Sequence, residues 1–178
     1  MSRTIFAFVM LALLVFSCTD EAPFNSLEDQ PMPVHVAQGI CPHSTMPEGA
    51  VSQGDIGPIS FYIIQGGLLK TNPPARDICL IQQTEKILGC ANFLIVEDID
   101  LDNGLIVINH RGIDNPELCL TALGPATATE GFQLPLGHYK LRFVKQFMID
   151  EWHLESTADG VFVNPEGEHS YTTFVPTR

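Results

Sequence analysis

The stretch that decides the fold is residues 93–110, FLIVEDIDLDNGLIVINH, in which two strand-like runs flank Asn103-Gly104. Both turn residues tolerate a positive φ, so this dipeptide between such runs is a strong signal of a two-residue β-hairpin. Pairing the chain outward from the turn gives one mainly apolar face and one acidic face. The cross-strand pairs predicted on the apolar face are Leu101 with Ile106, Ile99 with Ile108 and Glu97 with His110.

Three carboxylates alternate along the acidic face of the first strand, namely Asp98, Asp100 and Asp102. This spacing is that of the start of a calcium loop, which also needs a glycine at its sixth position and a bidentate acid at its twelfth. Asn103 and Asn109 occupy those positions here. In a flat strand, alternate side chains lie about 6–7 Å apart, too far for all three to hold one ion. We therefore expect a solvated face that discourages edge pairing, with a weak calcium site as the alternative.

A second hairpin is predicted in residues 137–155, where both halves alternate apolar and polar side chains. The side chains expected to point inward are Tyr139, Leu141, Phe143, Trp152 and Leu154. Trp152 with Tyr139 and Phe143 would also suit a binding platform, although core packing is the expected role. The outward faces are basic on one strand and acidic on the other, which favours ion pairs across the strands.

Many further short strands with regular turns complete the pattern. They are expected near residues 59–64, 118–122, 161–163 and 171–175. Residues 73–89 are ambiguous, because Pro73-Pro74 before and Gly89 after them suit a helix, whereas DICLI at 77–81 suits a strand. The sequence thus predicts an all-β, mainly antiparallel sandwich, with one short helix near 73–89 left open.

The C-terminal half carries a more specific pattern, GFQLPLGHYKLRF at residues 131–143. It resembles the LP-x-G-x-Y-x-L strand of surface Ig-like and carboxypeptidase-regulatory-like sandwiches. That resemblance implies an Ig-like β-sandwich in which the tyrosine, here Tyr139, forms a corner by bonding its hydroxyl back to the chain. It implies a binding or structural role rather than a particular chemistry.

The N-terminus has the parts of a secretory signal, with Arg3 ahead of an unbroken apolar run at residues 5–16. This run is shorter than the roughly twenty residues that an ordinary membrane span needs. Residues 14–18, LVFSC, resemble a bacterial lipobox, which implies removal of residues 1–17 and lipidation of Cys18. Release by the ordinary signal peptidase and retention as an uncleaved anchor are the alternatives.

The segment after the lipobox predicts how the protein is displayed. Residues 19–21, TDE, resemble the acidic tract that sends Bacteroidetes-type lipoproteins to the outer face of the outer membrane, and an ordinary polar tether is the alternative. Residues 18–55 are rich in proline and glycine and are interpreted as a tether, with the sandwich domain at 56–178. We therefore expect a cell-envelope protein, lipid-anchored to the outer membrane and either periplasmic or surface-exposed.

Four cysteines follow Cys18 in the sequence, namely Cys41, Cys79, Cys90 and Cys119. An even number outside the cytoplasm predicts two disulfides, and the spacings do not match paired C-x-x-C zinc ligands. The pairing that we predict is Cys79 with Cys90, closing a short loop, and Cys41 with Cys119.

Charge and motifs narrow the function. A formal net charge of −12 argues against nucleic acid and against bare anionic lipid, since both attract basic clusters. The sequence has no nucleophile elbow, phosphate loop or dinucleotide fingerprint. The Glu97/His110 pair is the one cross-strand contact that is a candidate site. We predict a non-catalytic lipoprotein that binds a protein or glycan partner or serves in a surface assembly. No cofactor is expected, and calcium is the alternative. The alternatives are a hydrolase whose site forms only in three dimensions and a calcium-dependent adhesion module.

Overall fold

The computed structural model describes residues 33–36, 41, 55–114 and 118–177. Within those ranges the chain forms ten strands and no helix, so the predicted all-β class is confirmed. The strands are β1 His35–Val36, β2 Ile59–Leu69, β3 Ala75–Leu88, β4 Leu94–Asp102, β5 Leu105–Asp114, β6 Gly124–Pro135, β7 Gly137–Lys145, β8 Met148–Ser156, β9 Val161–Glu166 and β10 Thr172–Phe174.

The ten strands are joined in one mixed sheet, in the order β10-β2-β3-β6-β4-β5-β7-β8-β9, with β1 on β6. Strands β6 and β4 meet at only one parallel bridge among the described residues, Leu94 with Thr127. The sheet curves back on itself into two facing layers, one around β2, β3 and β6 and the other around β5, β7 and β8. Phe61 on β2 shows the facing arrangement, because its ring centroid lies 4.9 Å from Phe143 on β7 and 5.1 Å from Trp152 on β8.

The core lies between these two layers and is filled by large apolar side chains, in keeping with sheet-on-sheet packing. The largest fully buried residues are Phe61, Phe132, Phe143, Ile56, Ile59, Ile78, Leu80, Ile95, Ile106, Ile108, Leu134 and Leu141. Burying an aliphatic or aromatic side chain of this size contributes about 1.5–3 kcal/mol, so the layers are held together mainly by this interior.

The β4–β5 hairpin forms as predicted. Asn103 and Gly104 make the turn with φ values of 38° and 84°, the positive angles that this dipeptide favours. All of the predicted cross-strand pairs are present, including Glu97 with His110, and an irregularity in the register separates Val96 from Glu97.

The β7–β8 hairpin is also confirmed, with its predicted inward side chains all buried. Trp152 is therefore part of the core. On the outer face Glu151 accepts a 2.7 Å hydrogen bond from Arg142 Nε, and Lys140 Nζ lies 3.4 Å from Glu151 and 2.9 Å from Glu166. The predicted corner is present too, since the Tyr139 hydroxyl donates a 2.9 Å hydrogen bond to the carbonyl of Pro135.

The short helix considered near 73–89 is absent, because Ala75–Leu88 forms the long strand β3. This strand pairs with β2 on one side and β6 on the other, so both of its edges are satisfied by neighbouring strands. Four of its buried side chains, Ile78, Leu80, Gln82 and Thr84, recur at every second residue, a period of two that a helix would not give. The local sequence signals of residues 73–89 fit a helix and a strand equally well, and pairing with β2 and β6 makes the segment a strand.

The other expected strands are confirmed with one exception. Strands β2, β9 and β10 cover the predicted segments near 59–64, 161–163 and 171–175, but the strand expected at 118–122 is wrong. The Asn92 side chain takes up backbone hydrogen-bonding groups of that segment. It donates to the Leu118 carbonyl at 2.8 Å and accepts from the Leu120 amide at 3.1 Å. The Cys90–Cys119 disulfide also holds the segment in an irregular path.

The two predicted disulfides are present, but their predicted pairing is wrong. The bonds join Cys41 to Cys79 and Cys90 to Cys119, with Cα–Cα distances of 5.6 and 5.3 Å. Cys79 lies within β3 and Cys90 lies beyond the end of that strand. An extended strand rises about 3.3 Å per residue, so these two cysteines are held far apart.

Some of the N-terminal predictions lie outside the described residues, including Cys18 and the signal at 1–17. Within the segment interpreted as a tether, His35 and Val36 pair with Gln133 and Phe132 of β6. In the part of the chain that the structure describes, no helix is long and apolar enough to cross a bilayer.

Candidate functional site

Two chain segments meet at one end of the sandwich and form the feature that we call the disulfide end. It consists of residues 87–94, where β3 ends and β4 begins, and residues 118–125, which lead into β6. The antiparallel pairing of Leu88 with Gly124 and the disulfide between Cys90 and Cys119 bring the segments together.

The disulfide end exposes large apolar side chains to solvent. Ile87 is 59% exposed, Leu118 is 83%, Leu120 is 58% and Leu123 is 77%. Single exposed apolar residues are ordinary on a protein surface, whereas a group of four on two clamped segments is a marker of an interaction site.

The same surface carries no charge. Residues 87–96 and 118–129 contain no Asp, Glu, Lys or Arg, although the chain has 21 acidic and 9 basic residues. Depletion of charged residues together with exposed apolar side chains is typical of the centre of a protein–protein interface. An exposed apolar surface without charges also lowers the solubility of a protein, so its presence here indicates a function.

The segments of the disulfide end are held in a defined shape. The Asn92 side chain bonds the backbone of Leu118 and Leu120, and the disulfide lies between those two leucines in sequence. Gly124 allows the segments to approach, because a Cβ at that position would stand 3.0 Å from the Cα of Ala91. A preformed surface loses little conformational entropy when it binds, which favours its use as a docking site.

A second constellation lies inside the sandwich and contains the Glu97/His110 pair marked by the sequence. The amide nitrogen of Gln82 donates to both carboxylate oxygens of Glu97, at 3.0 and 2.7 Å. The amide oxygen of Gln82 must then accept from His110 Nε2, 2.6 Å away, while His110 Nδ1 lies 3.3 Å from the hydroxyl of Tyr171. Four side chains from four strands or their connections are thereby linked.

This buried polar chain is closed to solvent. The side chains of His110 and Glu97 are 0% and 4% exposed, and their direct separation is 3.5 Å. Burial raises the pKa of Tyr171, and the nearby Asp150 and Glu97 carboxylates raise that pKa further. These hydrogen-bonded side chains connect β3, β4, β5 and the residue just before β10. They are therefore suited to fixing the register between the layers rather than to meeting a substrate.

The acidic face of β4 lies on the outside of the second layer. Asp98 accepts a 2.6 Å hydrogen bond from Arg111 Nε, and Asp100 accepts a 3.2 Å bond from Asn109, while Asp102 is exposed. Over the described ranges, no group of three or more His, Cys, Asp or Glu side chains is placed to hold a metal ion.

The sequence did not point to the disulfide end. Its signal is the absence of charge in residues 118–129, LCLTALGPATAT, which at first sight is an ordinary apolar strand. Only the irregular path of residues 118–123 shows that the leucines face solvent instead of a core.

Comparison with known proteins supplies no template for either constellation. No family model, no curated protein and no solved structure matches this chain.

Proposed function

We propose that this chain is a non-catalytic envelope lipoprotein whose β-sandwich binds a protein partner through the disulfide end. The observation that carries the proposal is the rigid, uncharged surface bearing Ile87, Leu118, Leu120 and Leu123 on a chain of net charge −12. Burial of exposed apolar surface is the main favourable term in most protein association, and the absence of charged side chains avoids the large cost of desolvating them.

The charge of the chain selects the kind of partner. Two copies of this protein, each with a net charge of −12, repel each other at long range, and an anionic lipid surface likewise repels one copy. A protein with an apolar recess and a basic rim would be attracted to the acidic chain and would cover the leucines. We therefore assign such a protein as the occupant.

Lipidation of Cys18 completes the proposal by placing the sandwich on a membrane. Each buried methylene contributes about 0.8 kcal/mol, so one acyl chain binds marginally while two or more hold firmly. Mass spectrometry of the mature protein should show an acylated N-terminal Cys18. A water-soluble, unacylated chain or an intact leader would contradict the envelope assignment.

The docking surface is tested by capture from intact membranes with the full-length lipidated protein. We compare wild type with the double variant Leu118→Asp and Leu123→Asp, which places two charges in the disulfide end. Phe162→Asp is the matched control, because Phe162 is 52% exposed and pairs with Glu155 at the other end of the sandwich.

We expect one stoichiometric protein with wild type and with the control, and its loss with the double variant. Each buried charge without a partner costs several kcal/mol, so the loss should be nearly complete. Equal capture by all three proteins would overturn the assignment of the surface. Recovery of a second copy of this chain alone, or of lipid alone, would overturn the assignment of the occupant.

A further inference from the structure

Two histidines form a separate pair on the outer face of the second layer. His138 on β7 and His153 on β8 have ring centroids 5.3 Å apart and planes inclined by 24°. They are diagonal neighbours, because His138 is opposite Glu155 and His153 is opposite Lys140 in the strand register. Their separation in sequence hides the pair from any search for closely spaced histidines.

The pair borders an open pocket of about 300 Å³. The β4–β5 turn at Asn103 and Gly104 lines the same pocket, together with Leu105. Lys140 also lines the pocket, and its ammonium group is paired with Glu151 and Glu166, neither of which lines the pocket. An ion held by the histidines would therefore have room for water or for a second molecule.

The spacing of the rings suits one tetrahedral ion. A Zn–N bond of about 2.1 Å places the metal about 3.2 Å from each imidazole centroid, and a tetrahedral angle then separates the centroids by about 5.2 Å. The observed centroid distance of 5.3 Å agrees with that value. The two rings are stacked, so each has to rotate out of the stack to direct one nitrogen to the ion.

We propose that His138 and His153 chelate one divalent transition-metal ion, such as Zn²⁺ or Cu²⁺, with water completing the coordination. Imidazole nitrogen favours these borderline ions, whereas calcium prefers oxygen ligands. The strands fix both backbones, so little order has to be gained when the metal binds. This site is independent of the disulfide end.

The test is isothermal titration of the untagged full-length protein, in detergent, with Zn²⁺, Cu²⁺ and Ca²⁺. We expect one Zn²⁺ or Cu²⁺ per chain and no calorimetric binding of Ca²⁺ at this site. His138→Asn and His153→Asn should each weaken Zn²⁺ binding by more than the roughly 10–100-fold that loss of an outer-shell partner costs.

His35→Asn is the matched control, because His35 is an exposed histidine on β1, away from this hairpin. It should bind as wild type does, and thermal unfolding should show that all three variants are folded. Zn²⁺ binding that persists in both hairpin variants, or that is lost only in His35→Asn, would overturn the proposal. The absence of any Zn²⁺ or Cu²⁺ binding by the wild type would overturn it as well.

Discussion

At the scale of single residues, two buried polar groups, the Tyr139 hydroxyl and the Gln82 amide, each hold parts of the chain in place. Tyr139 was placed correctly from its surrounding LP-x-G-x-Y residues, because its acceptor, the Pro135 carbonyl, is four residues away. The pairing of Glu97 with His110 was also predictable from the turn. Gln82, which bridges them, was not, because its position depends on β3 being a strand beside β6 and on the facing of two layers.

The corner hydroxyl yields a prediction at this scale. Tyr139→Phe should lower the free energy of unfolding by about 1 kcal/mol, because the buried hydrogen bond from the hydroxyl to the Pro135 carbonyl is lost. Burial raises the pKa of Tyr139 to about 12, so the hydroxyl stays protonated and donating throughout the neutral range. Urea unfolding at pH 7 measures the difference. Tyr62→Phe, at a half-buried tyrosine, is the control, and an equal loss there would contradict the account.

At the scale of elements, the hairpins were predictable and the long strand was not. Asn103-Gly104 and the alternation in β7 and β8 act over neighbouring residues, so the sequence alone indicates them. Residues 73–89 satisfied both a helix and a strand locally, and pairing with β2 and β6 decided between them. The predicted bond between Cys79 and Cys90 was wrong for the same reason, because the extended strand β3 holds these two cysteines apart.

The connection from β9 to β10 is another element that only the structure reveals. Asp150 on β8 is fully buried and accepts hydrogen bonds from the amides of Ser170, Tyr171 and Thr172 at 2.7–2.9 Å. The hydroxyls of Ser170 and Thr172 add two more at 2.8 Å. This carboxylate therefore fixes the crossing of the chain from one layer to the other.

The Asp150 carboxylate gives a pH-dependent prediction. Burial alone would raise its pKa, but the hydrogen bonds from Ser170, Tyr171 and Thr172 outweigh burial and lower that pKa to about 2. Because the folded-state pKa lies below the unfolded value near 3.8, the carboxylate stabilises the fold above that value, by on the order of 2 kcal/mol. That stabilisation is lost as the pH falls from about 4 towards 2.

Asp150→Asn should therefore unfold more easily than wild type at pH 7. The difference between the two proteins should shrink below pH 4, as wild type loses its charged acceptor. Thermal unfolding across this pH range measures it, with Asp102→Asn at an exposed position as the control. A difference between wild type and Asp150→Asn that stays constant down to pH 2 would rule out the ionised carboxylate as the cause.

At the scale of the whole molecule, the two disulfides have different consequences. Each closes a loop of similar length, with sequence separations of 38 for Cys41–Cys79 and 29 for Cys90–Cys119. Chain-entropy arguments give each a stabilising effect of about 3–4 kcal/mol. Only Cys90–Cys119 joins the two segments of the disulfide end. We therefore expect both disulfides to stabilise the fold but only Cys90–Cys119 to affect partner binding.

Removing each bond in turn tests that separation. The double variants Cys90→Ala/Cys119→Ala and Cys41→Ala/Cys79→Ala should lose comparable stability in denaturant. We expect the first to lose most of its partner capture and the second to retain it at temperatures where both are folded. Equal retention by both would show that the clamp has no part in binding.

The docking surface itself is tested most directly by photo-crosslinking in intact cells. A photoreactive side chain replaces Leu120, at the centre of the disulfide end, or Phe162, at the other end of the sandwich. The account predicts one discrete adduct with a protein partner from position 120 and none from position 162. Equal adducts from both positions, adducts only with lipid or with a second copy of this chain, or no adduct from position 120 would contradict it.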